Sequence, residues 1–207
     1  MAKSSTLQDR GRALLMPIVN GLARTGISPT AITLVGLALH FVGGIVVGIG
    51  ELRLGALVLL VAGICDALDG QLARLTGKVT RFGAFLDSNV DRIEETAVMA
   101  GIAAYFQSTH WAHAEALVVA TLLALGGSLI TSYARARAEG LGLDCKVGWF
   151  ERPDRVAVVT AGLLFGPWFL VAAILIVLVL SWVTVLQRIH HVHRVATRAD
   201  GSAAPRP

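Results

Sequence analysis

The chain has 207 residues, of which 55% are hydrophobic and 15% charged, and its mean hydropathy is +0.67. A soluble domain of this length is far less apolar, so the composition excludes an ordinary water-soluble enzyme and points to an integral membrane protein. The net charge of +4 and isoelectric point near 9.6 read as basic loops meeting anionic headgroups, with no nucleic-acid partner. Cys65 and Cys145 have neither metal-ligand spacing nor a disulfide framework around them.

The first element in chain order is an amphipathic segment over residues 6–24. Leu7, Leu14, Ile18 and Leu22 fall on one face, with Asp9, Arg12, Asn20 and Arg24 elsewhere. This pattern suits a helix lying in the membrane interface. Ser28-Pro29-Thr30 then opens an apolar run, with proline at a helix start. Spans are expected at about 29–49, 54–75, 83–106, 114–138, 154–168 and 169–192, long enough for the most part to cross a bilayer. Gly166-Pro167 breaks the fifth from the sixth.

The expected fold is all-α, with about six transmembrane helices behind an N-terminal amphipathic interfacial helix. The organisation is an amphipathic juxtamembrane segment (1–28), a six-helix domain (29–195) and a disordered tail (196–207). Basic residues gather in alternate loops. Lys3, Arg10, Arg12 and Arg24 precede the first span, and Arg74, Lys78 and Arg81 surround the second loop. Arg135, Arg137, Lys146, Arg152 and Arg155 surround the fourth, Arg188, Arg194, Arg198 and Arg206 follow the last, and the opposite loops hold Arg53. The positive-inside bias therefore puts both termini and the acidic motif on the cytoplasmic side of the cell membrane. Trp111, Trp149, Trp168 and Trp182 read as interfacial anchors, His190, His191 and His193 as solvated, and His40 as a packed side chain without a role.

The most informative stretch is Asp66-Ala-Leu-Asp69-Gly70-Gln-Leu-Ala73-Arg74, followed by Gly83 and by Asp87-Ser-Asn-Val-Asp91. A lone carboxylate in an apolar helix costs at least a few kcal/mol, and four together repel one another. Divalent cations relieve both problems, and hard oxygen ligands favour Mg2+, Mn2+ or Ca2+. Asp66, Asp69, Gly70 and Ala73 share one helix face, and Asp87 and Asp91 share a face of the next. Convergence of these faces would let the four carboxylates hold two cations, an arrangement suited to phosphoryl displacement. Gly70 and Ala73 leave room for a ligand, and Arg74 offers a donor fork to phosphate. The alternatives are structural ion pairs to Arg74, Arg81 and Arg92, which do not explain the small residues, and an ion transporter with an intramembrane acidic site.

The pattern D-x2-D-G-x2-A-R-x8-G-x3-D-x3-D resembles the signature of CDP-alcohol phosphotransferases at every fixed position, namely Asp66, Asp69, Gly70, Ala73, Arg74, Gly83, Asp87 and Asp91. The resemblance implies an enzyme that binds CDP-diacylglycerol, transfers the phosphatidyl group to an acceptor hydroxyl and releases CMP. It implies Asp66, Asp69 and Asp87 as metal ligands, and Asp91 as both metal ligand and general base. Asp66, Asp69, Gly70, Ala73, Arg74 and Thr80 would contact the CDP-alcohol. Family members are usually homodimers; Gly101, Ala103, Ala104, Gly126 and Gly127 are small enough to serve such an interface or packing within the chain.

The acceptor is addressed by a second set of residues. Arg135, Arg152, Arg155 and Arg188 lie at expected cytoplasmic helix ends. If these ends converge, they form a pocket for a phosphate monoester, which guanidinium groups bind bidentately. The pieces Ser132-Tyr-Ala-Arg135-Ala-Arg-Ala-Glu139 and Glu151-Arg152-Pro-Asp-Arg155 resemble those of bacterial phosphatidylinositol-phosphate synthases, a subgroup of the family. That resemblance implies inositol phosphate as the phosphorylated polyol. The subgroup has lysine where this chain has Arg135, so glycerol 3-phosphate, giving phosphatidylglycerophosphate, is the alternative acceptor.

Overall fold

A computed structural model describes the backbone of residues 3–109, 111 and 113–203, and the side chains of residues 14–198 apart from 110 and 112. The described residues form seven helices and no strand. They are α1 (Lys3–Thr25), α2 (Pro29–Gly48), α3 (Leu52–Leu75), α4 (Arg81–Ser108), α5 (Ala114–Gly140), α6 (Arg152–Phe165) and α7 (Pro167–Ala203). Two compact units divide the chain, Met1–Gly101 and Ile102–Pro207, and the division falls within α4.

Three helices are long and apolar enough to cross a membrane: α2, α5 and the Pro167–Arg198 part of α7. The protein is an integral membrane protein on this evidence. The other expected spans differ for physical reasons. α3 and α4 carry the acidic motif and its arginines, which lower their apolar content. α6 has 14 residues, about 21 Å of helix at 1.5 Å per residue, well short of a bilayer core. Large apolar side chains such as Leu34, Val35, Phe41, Ile45, Leu122 and Val179 point outward. In lipid, outward apolar side chains are the expected arrangement rather than a liability.

In the first unit, α1 packs on α3 through Val19, with Leu15, Leu22 and Ala23 against Leu68, Leu72 and Ile32. Leu22 is thus on the packed side, while Leu14 and Ile18 are exposed; Leu7, Asp9 and Arg12 lie outside the described side chains. Ser28 caps α2, its hydroxyl accepting from Ala31 N at 3.2 Å, and Pro29 occupies the first turn. Glycine then permits close helix approach. A Cβ on Gly43 would meet the Leu59 side chain at 2.7 Å, and one on Gly44 would meet the Ala97 carbonyl oxygen at 2.5 Å. Gly101 faces the backbone of Gly44.

In the second unit, α5, α6 and α7 pack together. Polar ties cross the α5–α7 seam. Thr131 Oγ1 donates to Ser181 O at 3.2 Å, and Trp182 Nε1 to Leu123 O at 3.1 Å. Trp182 is therefore a helix tie rather than an interfacial anchor. Trp111 and Trp168 stack with ring centroids 4.7 Å apart. Gly166, at φ +108°, ends α6, and Pro167 starts α7. The break comes just before the expected 168/169 boundary because proline belongs in a first helical turn. α7 continues to Ala203, across most of the segment expected to be tail; residues 204–207, including Arg206, are outside the described part.

Two of the small residues expected at an interface are filled from within the chain. Gly101 meets Gly44, and a Cβ on Gly127 would lie 3.0 Å from the Trp182 ring. Gly126 has open space beside it.

Gly44→Ala should lower stability by about 1–3 kcal/mol, since the methyl overpacks against a carbonyl that cannot swing away. Gly63→Ala, where nothing lies within 4 Å, serves as control and should not lower it. The check is thermal unfolding of both variants in detergent. Equal melting temperatures would mean that α2 and α4 do not meet at Gly44.

Candidate active site

The acidic motif lies in the first unit on α3 and α4. A cavity of about 450 Å³ opens there, lined by Ser28, Pro29, Thr30, Thr33, Asp69, Gly70, Ala73, Arg74, Lys78, Val79, Thr80, Gly83, Ala84, Leu86 and Asp87. Its size falls within the range of ordinary small-molecule sites. The motif's helical spacing explains the lining. Asp69, Gly70 and Ala73 follow one stripe of α3, and Gly83 and Asp87 one stripe of α4.

Asp69 is buried, at 6% exposure. Its Oδ2 accepts a hydrogen bond from Thr33 Oγ1 at 2.5 Å. Thr33 Oγ1 also lies 3.2 Å from Pro29 O, but a hydroxyl has one proton. The short contact to a carboxylate takes it, as charge-assisted bonds do. Thr33 thus orients Asp69 without neutralising it, and the charge of Asp87 also acts on Asp69. Asp66 and Asp91 do not line the cavity. Each stands about one turn further from it, on α3 and α4 respectively. A ligand atom of Asp66 instead gathers with one each of His40 and Glu94, all within 4.8 Å of one another.

Gly70 and Ala73 both line the cavity. A Cβ on Gly70 would meet the Arg74 guanidinium at 3.6 Å, so glycine keeps the space beside that fork open. Thr80 caps α4, its hydroxyl accepting from Gly83 N at 2.9 Å. A Cβ on Gly83 would come within 3.1 Å of that hydroxyl. Thr80 and Gly83 therefore form one capping device on the cavity wall. Arg92 turns to the Ser88 carbonyl one turn back, the local bond of an exposed helix arginine.

The donor set fits a hard divalent cation. Asp69 and Asp87 bring two carboxylates to one cavity, and Thr33 adds orientation but no positive charge.

The four arginines lie in the second unit. Arg188 is 3% exposed; it donates from Nη1 to Thr131 O at 2.6 Å and from Nε to Val147 O at 2.9 Å. Arg155 is 1% exposed, with Nη1 3.5 Å from Phe150 O and Nη2 3.5 Å from Ser132 Oγ. Arg135 pairs with Glu139 at 2.9 Å, both partly solvated. The charges of Arg135, Arg155 and Glu151 all act on Arg188, so three of the four arginines share one neighbourhood. Arg152 is half-buried and opens α6 beside Pro153.

Part of the second motif serves the fold. Glu151 and Asp154 form a capping box on α6. The loop before it is tied to α7 three times, through Gln187 to Trp149 N, Arg188 to Val147 O and His191 to Asp144 O. His191 is accordingly a loop tie rather than a solvated side chain.

Residues 26–190 match the family model for CDP-alcohol phosphatidyltransferase. The chain belongs to the CDP-alcohol phosphatidyltransferase family. It is a metal-dependent transferase of phospholipid biosynthesis, which leaves the transporter alternative without support. The phosphatidylinositol phosphate synthase of Mycolicibacterium smegmatis is 39% identical over 191 residues, covering 86% of this chain and 83% of the relative. The archaetidylinositol phosphate synthase of Methanothermobacter thermautotrophicus is 36% identical over 194 residues, covering 91% and 95%. The crystal structure of Mycobacterium tuberculosis phosphatidylinositol phosphate synthase with CDP-DAG bound superposes with a TM-score of 0.78 at 38% identity, over 85% of this chain and 92% of that one. The same Mycobacterium tuberculosis protein has been solved in complex with manganese and citrate.

Thr33, His40 and Glu94 were not singled out by the sequence. Thr33 sits one turn after Pro29 in a run that reads only as membrane span, so no local pattern marks it.

Thr33→Val keeps the shape and removes the hydroxyl. A hydrogen bond to a charged group is worth about 1.5–3 kcal/mol, so the Mn2+ concentration needed for half-maximal transferase activity should rise by about one to two orders of magnitude. An unchanged metal requirement would rule out Thr33 as the group that orients Asp69.

Proposed function

We propose that the protein transfers the phosphatidyl group of CDP-diacylglycerol to a hydroxyl of inositol phosphate and releases CMP, at a site facing the cytoplasm. The observation that carries this reading is the cavity that joins Asp69, Gly70, Ala73, Arg74, Thr80 and Asp87. It offers carboxylates, a guanidinium fork and vacant space together, the chemistry that a nucleotide pyrophosphate requires. The bound CDP-DAG of the solved structure supports the same donor, and the relatives' names support the inositol phosphate product.

Asp66, Asp69, Asp87 and Asp91 are the proposed ligands for two Mg2+ or Mn2+ ions. Such ions, when bound, stabilise charge on the pyrophosphate and on the departing phosphate. Gly70 and Ala73 admit the cytidine, and Arg74 and Thr80 contact the nucleotide. The acceptor oxygen forms a bond to the phosphorus that bears diacylglycerol, and the bond from that phosphorus to the CMP oxygen breaks. The acceptor proton passes to the Asp91 carboxylate, the proposed general base.

Arg135, Arg152, Arg155 and Arg188 are the proposed ligands for the acceptor phosphate. Support comes from the shared neighbourhood of Arg135, Arg155 and Arg188. Arg188 uses two of its five N–H groups on carbonyls, so its fork is held in place with donors to spare. Glycerol 3-phosphate remains the second acceptor reading, because Arg135 stands where the subgroup has lysine. Six membrane crossings and a homodimer belong to the same proposal; the dimer would use faces other than Gly101 and Gly127, which are filled from within the chain.

Purified protein stripped of metal by EDTA should release no CMP from CDP-diacylglycerol and should recover with Mg2+ or Mn2+. Asp69→Asn and Asp87→Asn should abolish release in both. Offered inositol phosphate, glycerol 3-phosphate, inositol and serine, the enzyme should turn over inositol phosphate best and the unphosphorylated acceptors poorly. Arg188→Lys keeps the charge and loses the fork, so the acceptor KM should rise about tenfold, with the CDP-diacylglycerol KM little changed. Preference for free inositol, or normal acceptor kinetics in that variant, would overturn the acceptor assignment and leave the metal site standing.

A further inference from the structure

Around Asp66 lies a polar cluster, two of whose three members have no part in the proposed reaction. α2, α3 and α4 each contribute one side chain to it: His40, Asp66 and Glu94. One ligand-type atom of each lies within 4.8 Å of the other two. The His40 and Glu94 side chains are 8% and 1% exposed, and neither lines the cavity. They do not reach the space where a nucleotide would sit.

His40 is held in one orientation. Its Nδ1 is 3.0 Å from Gly36 O and 3.2 Å from Glu94 Oε1. A carbonyl oxygen only accepts, so Nδ1 carries the hydrogen and donates it to Gly36 O, with the Glu94 carboxylate beside it at ion-pair distance. The imidazole is thereby pinned to α2 by its own backbone and to α4 by Glu94. Gly36 brings α2 equally close to Asp66, since a Cβ there would lie 2.8 Å from Asp66 Oδ1. Burying a glutamate and an imidazole among apolar helices is costly unless each is bonded and used. Here they gather with Asp66, one of the two motif aspartates outside the cavity lining.

We propose that His40 and Glu94 are positioning residues for Asp66, fixing its carboxylate against α2 so that it is presented to a divalent cation in one orientation. The proposal rests on the reading of Asp66 as a metal ligand and extends it to the residues behind it. Groups behind a ligating carboxylate typically change metal affinity by about 10- to 100-fold when removed. Thr33 performs the corresponding task for Asp69, so α2 would orient both α3 carboxylates from one face.

The test measures Mn2+ binding directly, by the electron paramagnetic resonance signal of free Mn2+ titrated against EDTA-stripped, monodisperse protein. Glu94→Gln and His40→Ala should each weaken Mn2+ binding by about tenfold or more. His40→Asn, which retains an N–H near the Nδ1 position, should recover most of the loss. Gly36→Ala gives an independent probe, because its methyl group displaces Asp66 Oδ1 without altering His40 or Glu94; it should weaken binding similarly. At saturating Mn2+, the KM for CDP-diacylglycerol should stay within about twofold of the parent, since neither residue touches substrate. Melting temperatures establish that each compared variant is folded, and the isosteric Glu94→Gln decides the matter if His40→Ala does not fold. Unchanged Mn2+ affinity in folded variants would overturn the proposal. So would the loss of one whole Mn2+ equivalent in His40→Ala and Glu94→Gln with the remaining affinity intact, which would make the pair metal ligands themselves. If the parent binds Mn2+ but releases no CMP from CDP-diacylglycerol, the reaction assignment fails while the binding comparison still judges the pair.

Discussion

The constraint on which the first unit depends is the burial of carboxylate charge among apolar helices. Asp69 and Glu94 are buried and Asp66 is half-buried, and α2 supplies a contact to each. Thr33 donates to Asp69, His40 lies with Glu94, and Gly36 leaves no methyl between α2 and Asp66. These three residues follow a helical stripe, at spacings of three and four, on the buried side of α2. Gly43, Gly44 and Val47 continue it and set how closely α3 and α4 can approach. A helix that reads as a plain membrane span is therefore both the packing template and the polar scaffold of the site.

The second unit meets the same problem with the opposite sign. Arg155 and Arg188 are almost fully buried, and backbone carbonyls take much of their hydrogen bonding. Carbonyl oxygens carry partial negative charge without needing a buried carboxylate, so they hold a guanidinium while preserving most of its net charge. An Asp or Glu partner would neutralise the group and make it a poorer anion ligand. Arg135, out at the partly solvated end of α5, pairs with Glu139. The distinction separates arginines fixed by the fold from one kept in place by a surface ion pair, which contributes little to stability.

Much of this was legible in the sequence, and the reasons divide by residue. The acidic motif was readable because its spacing is helical and its residue types are improbable in lipid; the cavity accordingly collects Asp69, Gly70, Ala73, Arg74, Gly83 and Asp87. Helix ends at Ser28-Pro29 and Gly166-Pro167 were readable from capping and proline geometry. Thr33, His40 and Glu94 were not, because each is a lone polar residue whose meaning comes from partners on other helices. Thr33 and Asp69 are 36 residues apart, a pairing that no local pattern encodes. The Glu151–Asp154 capping box was hidden differently, since its residues sat inside a motif already assigned to the acceptor.

That last case shows how a motif can serve two masters. Glu151 and Asp154 build the start of α6, and by doing so fix where Arg152 and Arg155 stand on its first turn. The loop ahead of α6 is then strapped to α7 by Gln187, Arg188 and His191. Gly148, at φ +132°, lets that loop pass beside Arg188, where any side chain would crowd Thr184 and the guanidinium. Fold residues and site residues in this stretch are thus not separable lists. The arginine positions follow from the caps and straps, just as the aspartate positions follow from the glycines and threonine of α2.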